Sequence, residues 1–273
     1  MQIEVKIFTV NKRFALTISR GTVAQTTNIW VKISHDGIEG WGEASPFSVG
    51  NYPQSTKIIK DALQQVTPIL QAFTPLQRQE IEQVLAAWQI PSAARAALDI
   101  AMHDWLGKRV GLPLWQMWGC DRKVIVPTSV TIGINSPEKA KARARDWLQF
   151  TDVRIFKVKL GSPDGIAADR KMLIAVREEA PELQLYVDAN GGWSLEDAMS
   201  MCNWLADLDV KYVEQPLPRG EEKKLHQLKK QQPLPIFVDE SCFSCADIPQ
   251  LAGSVDGINI KLMKSGGLTE AMR

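Results

Sequence analysis

IFKVKL (residues 155–160), LYVDAN (185–190), KYVEQPL (211–217), IFVDES (236–241) and GINIKL (257–262) are short apolar runs rich in β-branched and aromatic residues. Helical spacing follows each, and strands that alternate with helices predict parallel pairing through crossover helices. A sixth run, VPTSVTI at 126–132, precedes them. A charged residue stands near the end of each of the last five: Lys159, Asp188, Glu214, Asp239 and Lys261. They recur about every 25 residues, close to the length of one strand–helix unit in a (β/α)8 barrel, whose active sites gather at the C-terminal strand ends. The fold class read from this is α/β, a modified TIM-like (β/α)8 barrel. Closure takes eight strands and six are legible, so a barrel cut short after its sixth strand is expected.

Upstream the texture differs. IEVKIFTV (3–10) and NIWVKISHDGIEGWGEA (28–44) alternate as β structure, with Asp36-Gly37 as a hairpin-turn signal. Apolar residues then recur at three- and four-residue intervals from about 54 to 66, 76 to 87 and 92 to 106, ahead of the stop Gly111-Leu112-Pro113. The expected division is an α+β capping domain over 1–123 and the barrel domain over 124–273. Helix starts in the barrel are marked by Ser136-Pro137, by Ser194 with Asp197, and by Glu221-Glu222.

Composition narrows the function. Lysine plus arginine (32) against aspartate plus glutamate (31) leaves a net charge of +1, without the basic footprint of a nucleic-acid binder. Hydrophobic residues at 45% suffice for a sizeable core, which argues against disorder. No apolar run approaches the roughly 20 residues of a membrane span, and MQIEVKIFTVNKRF lacks a signal-peptide core. Four scattered cysteines are too few for a disulfide-stapled domain. A cytoplasmic protein with a small-molecule partner is expected, with neither nucleic acid nor membrane as partner; a homo-oligomer stays open.

Asp188, Glu214 and Asp239 end successive strands, where an ordinary core would tolerate no unpaired charge. Together they call for a cation, and oxygen donors alone suit a hard ion such as Mg²⁺. Lys157 and Lys159 are two apart in a strand and share a face. Burial and neighbouring positive charge are expected to lower a lysine pKa there, toward a general base. Lys261, at the end of INIKL, is expected across the metal from Lys159, while Lys264 is expected in surface loop. Two opposed lysines suit removal of a proton α to a carboxylate and its return from the other face. A Schiff-base aldolase is a rival reading of a barrel lysine, although it has no need of three acids. Cys242 and Cys245 have CxxC spacing without a second pair, and His35, His103 and His226 lie at no strand end, so neither group suggests a metal site. Trp88, Trp105, Trp115, Trp118 and Trp147 accompany helical apolar positions and are expected in cores.

The ordered set FKVKLG, YVDANGGW, VEQPLP, FVDES and INIKLMKSGG, behind GWGEASPF (40–47), resembles the muconate-lactonising branch of the enolase superfamily over the whole chain. The resemblance implies a capping domain and barrel, Mg²⁺ held by Asp188, Glu214 and Asp239, and Lys159 and Lys261 as the acid/base pair. It also implies supporting roles for Lys157, Asn190 and Glu240, and substrate contacts from Arg20 and Thr131. INIKLMKSGG with TSVTIGINSPE (128–138) is most similar to dipeptide epimerases of the L-Ala-D/L-Glu type, which work by two-base 1,1-proton transfer through a metal-stabilised enediolate. An o-succinylbenzoate synthase or N-acylamino-acid racemase of the same superfamily stays open, as does an inactive truncated barrel.

Overall fold

The structure, a computed structural model, describes residues 1–19, 21–49 and 52–273. The chain forms two compact units: one of Met1–Lys12, Gln25–Ile125 and Ile260–Arg273, the other of Arg13–Ala24 and Val126–Asn259. The expected division is a linear one at residue 123; the two units are each assembled from separate segments, with 13–24 in the second and 260–273 in the first.

The first unit opens with a three-stranded sheet of β1 (Gln2–Ile18), β2 (Gly21–His35) and β3 (Ile38–Ala44), then a small pair of β4 (Phe47–Val49) and β5 (Tyr52–Gln54). β1 and β2 run on through polar residues that the hydrophobic pattern leaves between strands. Cross-strand polar pairs replace apolar ones there, such as Gln25 Nε2 donating to Asn11 Oδ1 at 2.9 Å. Asp36 (φ 49°) and Gly37 (φ 73°) make the expected tight turn, with both residues at positive φ. Four helices follow: α1 (Thr56–Leu70), α2 (Arg78–Ala87), α3 (Ser92–Val110) and α4 (Leu114–Met117). α3 presents Ala93, Ala94, Ala97 and Ala101 to a core with Ile29, Val31, Ile33, Leu63 and Leu98. Trp105 is buried in this core as expected, whereas Trp88 and Trp115 are exposed.

The second unit is built on a parallel sheet of β6 (Ser129–Ile132), β7 (Ile155–Lys159), β8 (Gln184–Asp188), β9 (Val210–Glu214), β10 (Ile236–Val238) and β11 (Gly257–Ile258), side by side in chain order. Between them lie α5 (Pro137–Phe150), α6 (Ile166–Glu179), α7 (Leu195–Asp207), α8 (Glu222–Gln231) and α9 (Ile248–Leu251). The six strands are those expected, and among the described residues β6 and β11 stand at the two ends of the order. Ser136 and Ser194 cap α5 and α7 by accepting from Lys139 N and Asp197 N. Alternation along the strands sends Phe156, Val158, Leu185, Val187, Val213, Ile236 and Val238 into one core with Met172, Leu173, Met201, Leu205 and Leu225 of the helices. Residues 13–24 join this unit because Phe14 meets Trp147 edge-on at 4.8 Å and Ile134 N donates to Thr17 O at 2.9 Å.

The last expected strand is shorter than INIKL suggests. Among the described residues β11 pairs with β10, and the last such tie is at Asn259, whose N–H reaches Val238 O at 2.8 Å. Lys261 instead opens α10 (Leu262–Ser265), which precedes α11 (Leu268–Met272). Both helices fasten to α3. Ser92 Oγ donates to Met263 O at 2.7 Å, and buried Asp99 accepts from Leu268 N and Thr269 Oγ1, each at 2.6 Å.

β3 lies close against α3 because Gly40 and Gly42 have no side chain. A Cβ at Gly42 would stand 2.0 Å from Ala97 O, and one at Gly40 would stand 2.1 Å from Ala101 O. Helix backbone cannot give way by so much. Gly42→Ala should therefore lower the melting temperature measured by circular dichroism, in line with an overpacking cost of about 1–3 kcal/mol. An unchanged melt would show that strand and helix part freely.

Candidate functional site

The face of the parallel sheet opposite the helices carries the charged residues. Lys157 and Lys159 alternate with Phe156 and Val158, so the pleat that buries the apolar pair under the helices turns both lysines to this face. Register then brings the charges level: Lys159 pairs with Asp188, and Asp188 with Glu214. Asp239 follows directly after β10, the neighbour of β9. Below the charges Tyr186, Tyr212 and Phe237 stack in a row, with ring centroids 4.5 and 4.6 Å apart. Burial and then Glu214 push the Tyr212 phenol up to about 12, so it forms a neutral floor.

Lys157 Nζ stands 2.6 Å from Glu214 Oε2 and 3.1 Å from Asp188 Oδ2, while Lys159 Nζ is 2.5 Å from the same Asp188 oxygen. Asp188 Oδ1 accepts from Asn190 N at 2.9 Å, and Glu214 Oε1 accepts from Asn259 Nδ2 at 2.9 Å. Burial would raise the Asp188 carboxyl, but Lys159 and Lys157 outweigh it and hold it at about 2. Glu214 goes the other way. Its own burial and the negative charge of Asp188 lift it above the ordinary carboxylate range against the pull of Lys157, and Asp239 adds to the lift. Lys157 corrects the sequence-based expectation: burial does press its pKa down, yet Asp188 and Glu214 together raise it above the ordinary lysine value. The charges that face this lysine are negative, not positive.

The structure thus brings together Lys157, Lys159, Asp188 and Glu214. Asp239 is buried, and its N–H donates to Gln215 Oε1 at 2.9 Å; Asn190 Nδ2 donates to buried Glu240 Oε1 at 3.1 Å. Thr131 pairs with Lys157 in register and is half-buried. Arg20 lies outside the described residues. Lys261 is exposed at the start of α10 and belongs to the first unit, while Lys264 is buried, the reverse of the expected exposures. Lys264 lies in the last turn of α10, the helix that packs on α3. Two participants escaped the sequence reading. Asn259 could have been found by the strand period, two residues before Lys261. Gln215 beside Glu214 holds the backbone of the Asp239 turn, accepting from Asp239 N and Ser241 N while its Nε2 donates to Ser241 Oγ.

Among the described residues no three His, Cys, Asp or Glu side chains are gathered into a group that could hold a metal ion. The carboxylates expected to hold the ion take part in an ion-pair network, with the Lys157 ammonium between Asp188 and Glu214. The donor chemistry nevertheless fits a hard divalent cation. Asp188, Glu214 and Asp239 are buried carboxylates on neighbouring strands, near enough for Asp188 and Asp239 to raise Glu214. Among the described residues no cysteine forms a disulfide; Cys242 is buried and Cys245 exposed.

Residues 2–119 match the mandelate racemase/muconate lactonizing enzyme N-terminal domain family, and residues 139–273 match the enolase C-terminal domain-like family. A hydrophobic dipeptide epimerase from Flavobacteria bacterium (strain MS024-2A) is 45% identical over 97% of this chain and 75% of its own length. One from Roseobacter litoralis is 42% identical over 100% of this chain and 78% of its own. The crystal structure of a Cytophaga hutchinsonii dipeptide epimerase, complexed with Mg and the dipeptide D-Ala-L-Val, superposes with a TM-score of 0.92 at 28% identity, over 99% of this chain and 74% of that one.

The pairing at Lys157 carries a test in metal-free buffer. Lys157→Met leaves Glu214 with less compensation, and breaking one side of a buried ion pair costs about 3–5 kcal/mol. A carboxyl raised in the folded state binds a proton that the unfolded chain releases, so the deficit is largest at alkaline pH and shrinks toward acid. Urea unfolding at pH 8 and pH 5.5 should show the larger loss at pH 8. Equal losses at both would mean that Glu214 does not sense Lys157.

Proposed function

The chain belongs to the mandelate racemase/muconate lactonizing enzyme family, within the enolase superfamily, and from that membership we propose that it is a Mg²⁺-dependent epimerase of dipeptides. The observation that carries the reading is the Lys159–Asp188–Glu214 register, which puts a lysine amine and metal-type carboxylates at one level of one sheet face. Asp188, Glu214 and Asp239 would hold the ion. When bound, Mg²⁺ supplies positive charge that offsets the negative charge developing on the substrate carboxylate as its α-proton leaves.

Lys159 Nζ, in its neutral form, takes the α-proton from one face, and Lys261 serves the other. Lys157, shared by two carboxylates, stays protonated and keeps positive charge beside the reacting carboxylate. Asn190 and Glu240 brace the turn beyond Asp188, and Thr131 borders the same face next to Lys157. The two relatives described above bear the name hydrophobic dipeptide epimerase, which supports a hydrophobic dipeptide as substrate. The acidic alternative leaned on Arg20. No described helix is long and apolar enough to cross a membrane, and four scattered cysteines, too few for a disulfide-stapled domain, support the cytoplasm.

A panel of L-Ala-L-Xaa dipeptides, assayed in D₂O with Mg²⁺, tests the reading. Turnover should vanish with EDTA, and the α-hydrogen of both epimers should exchange with solvent; turnover without deuterium uptake would rule out the two-base route. Asp239→Asn should weaken Mg²⁺ binding and lose most activity, with partial rescue by excess metal. Lys159→Ala should abolish epimerisation yet leave exchange of a single epimer, beyond rescue by metal. Exchange of both epimers by that variant would refute the assignment.

A further inference from the structure

Asp169 lies in the first turn of α6 and is almost wholly buried. Its carboxylate does not serve that helix. Oδ2 accepts from Gly161 N at 2.9 Å and from Trp193 Nε1 at 3.1 Å, while Oδ1 accepts from Ser162 N at 3.0 Å. The three donors come from two loops: Gly161 and Ser162 follow Lys159 on the chain that leaves β7, and Trp193 stands on the chain that leaves β8 after Asp188. Hydrogen bonds to a carboxylate are charge-assisted and about twice as strong as neutral ones.

The two loops are also in backbone contact. Gly161 has φ 78°, and a Cβ on it would lie 2.4 Å from Ala189 O; one on Gly192 would lie 2.7 Å from Gly161 Cα. Leu160 N donates to Asp188 O at 2.9 Å. Loops that touch this closely do not shift independently, and the carboxylate that closes them together comes from outside both.

We infer that Asp169 is a positioning residue for proton transfer: by clasping the Gly161–Ser162 backbone to Trp193, it sets the height of Lys159 Nζ over the substrate's α-carbon. The inference rests on the epimerase reading above. Asp169 touches neither substrate nor proton, and it acts on Lys159 rather than on Lys261, which lies in the other unit.

Asp169→Asn keeps the shape but loses the charge and turns one acceptor into a donor facing N–H groups. α-Hydrogen exchange in D₂O is followed for each epimer separately, in the parent chain and the variant. The epimer deprotonated by Lys159, identified as the one that Lys159→Ala no longer exchanges, should slow about tenfold more than its mirror-centre partner, with kcat falling and KM little changed, since small misplacement of a reacting group costs rate rather than binding. Equal slowing of both epimers would overturn the inference, because a general loosening of the fold acts on both. A parent chain that exchanges neither epimer would overturn the epimerase reading and this inference with it. If Asp169→Asn does not yield folded protein, Trp193→Phe, which removes a single donor, should show the same asymmetry at smaller size, and symmetric rates there would also overturn the inference.

Discussion

Like charges on neighbouring strands are the constraint around which the second unit is arranged. Adjacent strands lie about 4.8 Å apart, so Asp188 and Glu214, level on β8 and β9, repel at short range in a buried place, and Asp239 just past β10 adds to the repulsion. Lysines on β7 answer them, one ammonium between Asp188 and Glu214 and the other on Asp188. Those lysines can reach only because the pleat puts them on the carboxylate face, and the same pleat commits the residues between them to the helices. The core under α5 to α8 and the charged face are two consequences of one alternation.

Holding the charged side chains in register takes more than the sheet, since strands end where the chemistry begins. Past the strand ends the backbone turns through positive φ at Asn190 (46°) and Gln215 (41°), a conformation that side chains other than glycine adopt at a cost. Surrounding hydrogen bonds sustain it. Gly191 N donates to Gln215 O at 2.8 Å, and Gln215 N donates to Phe237 O at 2.8 Å, so each turn is braced by the next strand. The side-chain amide of Gln215 and the carboxylate of Asp169 complete this bracing from opposite sides. Functional groups at the ends of short strands gain a rigid frame in this way without lengthening the strands.

The fold was legible where period and spacing carry the information. Six apolar runs and their order predicted six parallel strands, and the charge at each strand end singled out Lys159, Asp188, Glu214 and Asp239. What escaped has physical reasons. The long β1–β2 hairpin runs through polar residues because its pairs there are hydrogen-bonded rather than apolar, and alternation cannot register that. The reach of β11 depends on whether a strand lies beyond it, which the string INIKL does not encode. Asp169 looks like an ordinary acid in a helix's first turn, and only the fold turns it toward both the loop before α6 and the loop after β8.

Lys157 and Lys159 show how one strand divides two roles between identical side chains. They differ by one pleat repeat along β7, and that distance decides their company. Lys157 faces two carboxylates, and among the described residues Lys159 is bound to one. A proton shared between two negative groups is the harder to remove, so the inner lysine is suited to fixed positive charge. The outer lysine stands at the strand's last residue, where the loop after β7 begins and where Asp169 takes hold of the backbone. Its tie is to Asp188, one of the carboxylates that would hold the cation. The position that sets Lys159 at the end of β7 is therefore also the one that ties it to the loop beyond.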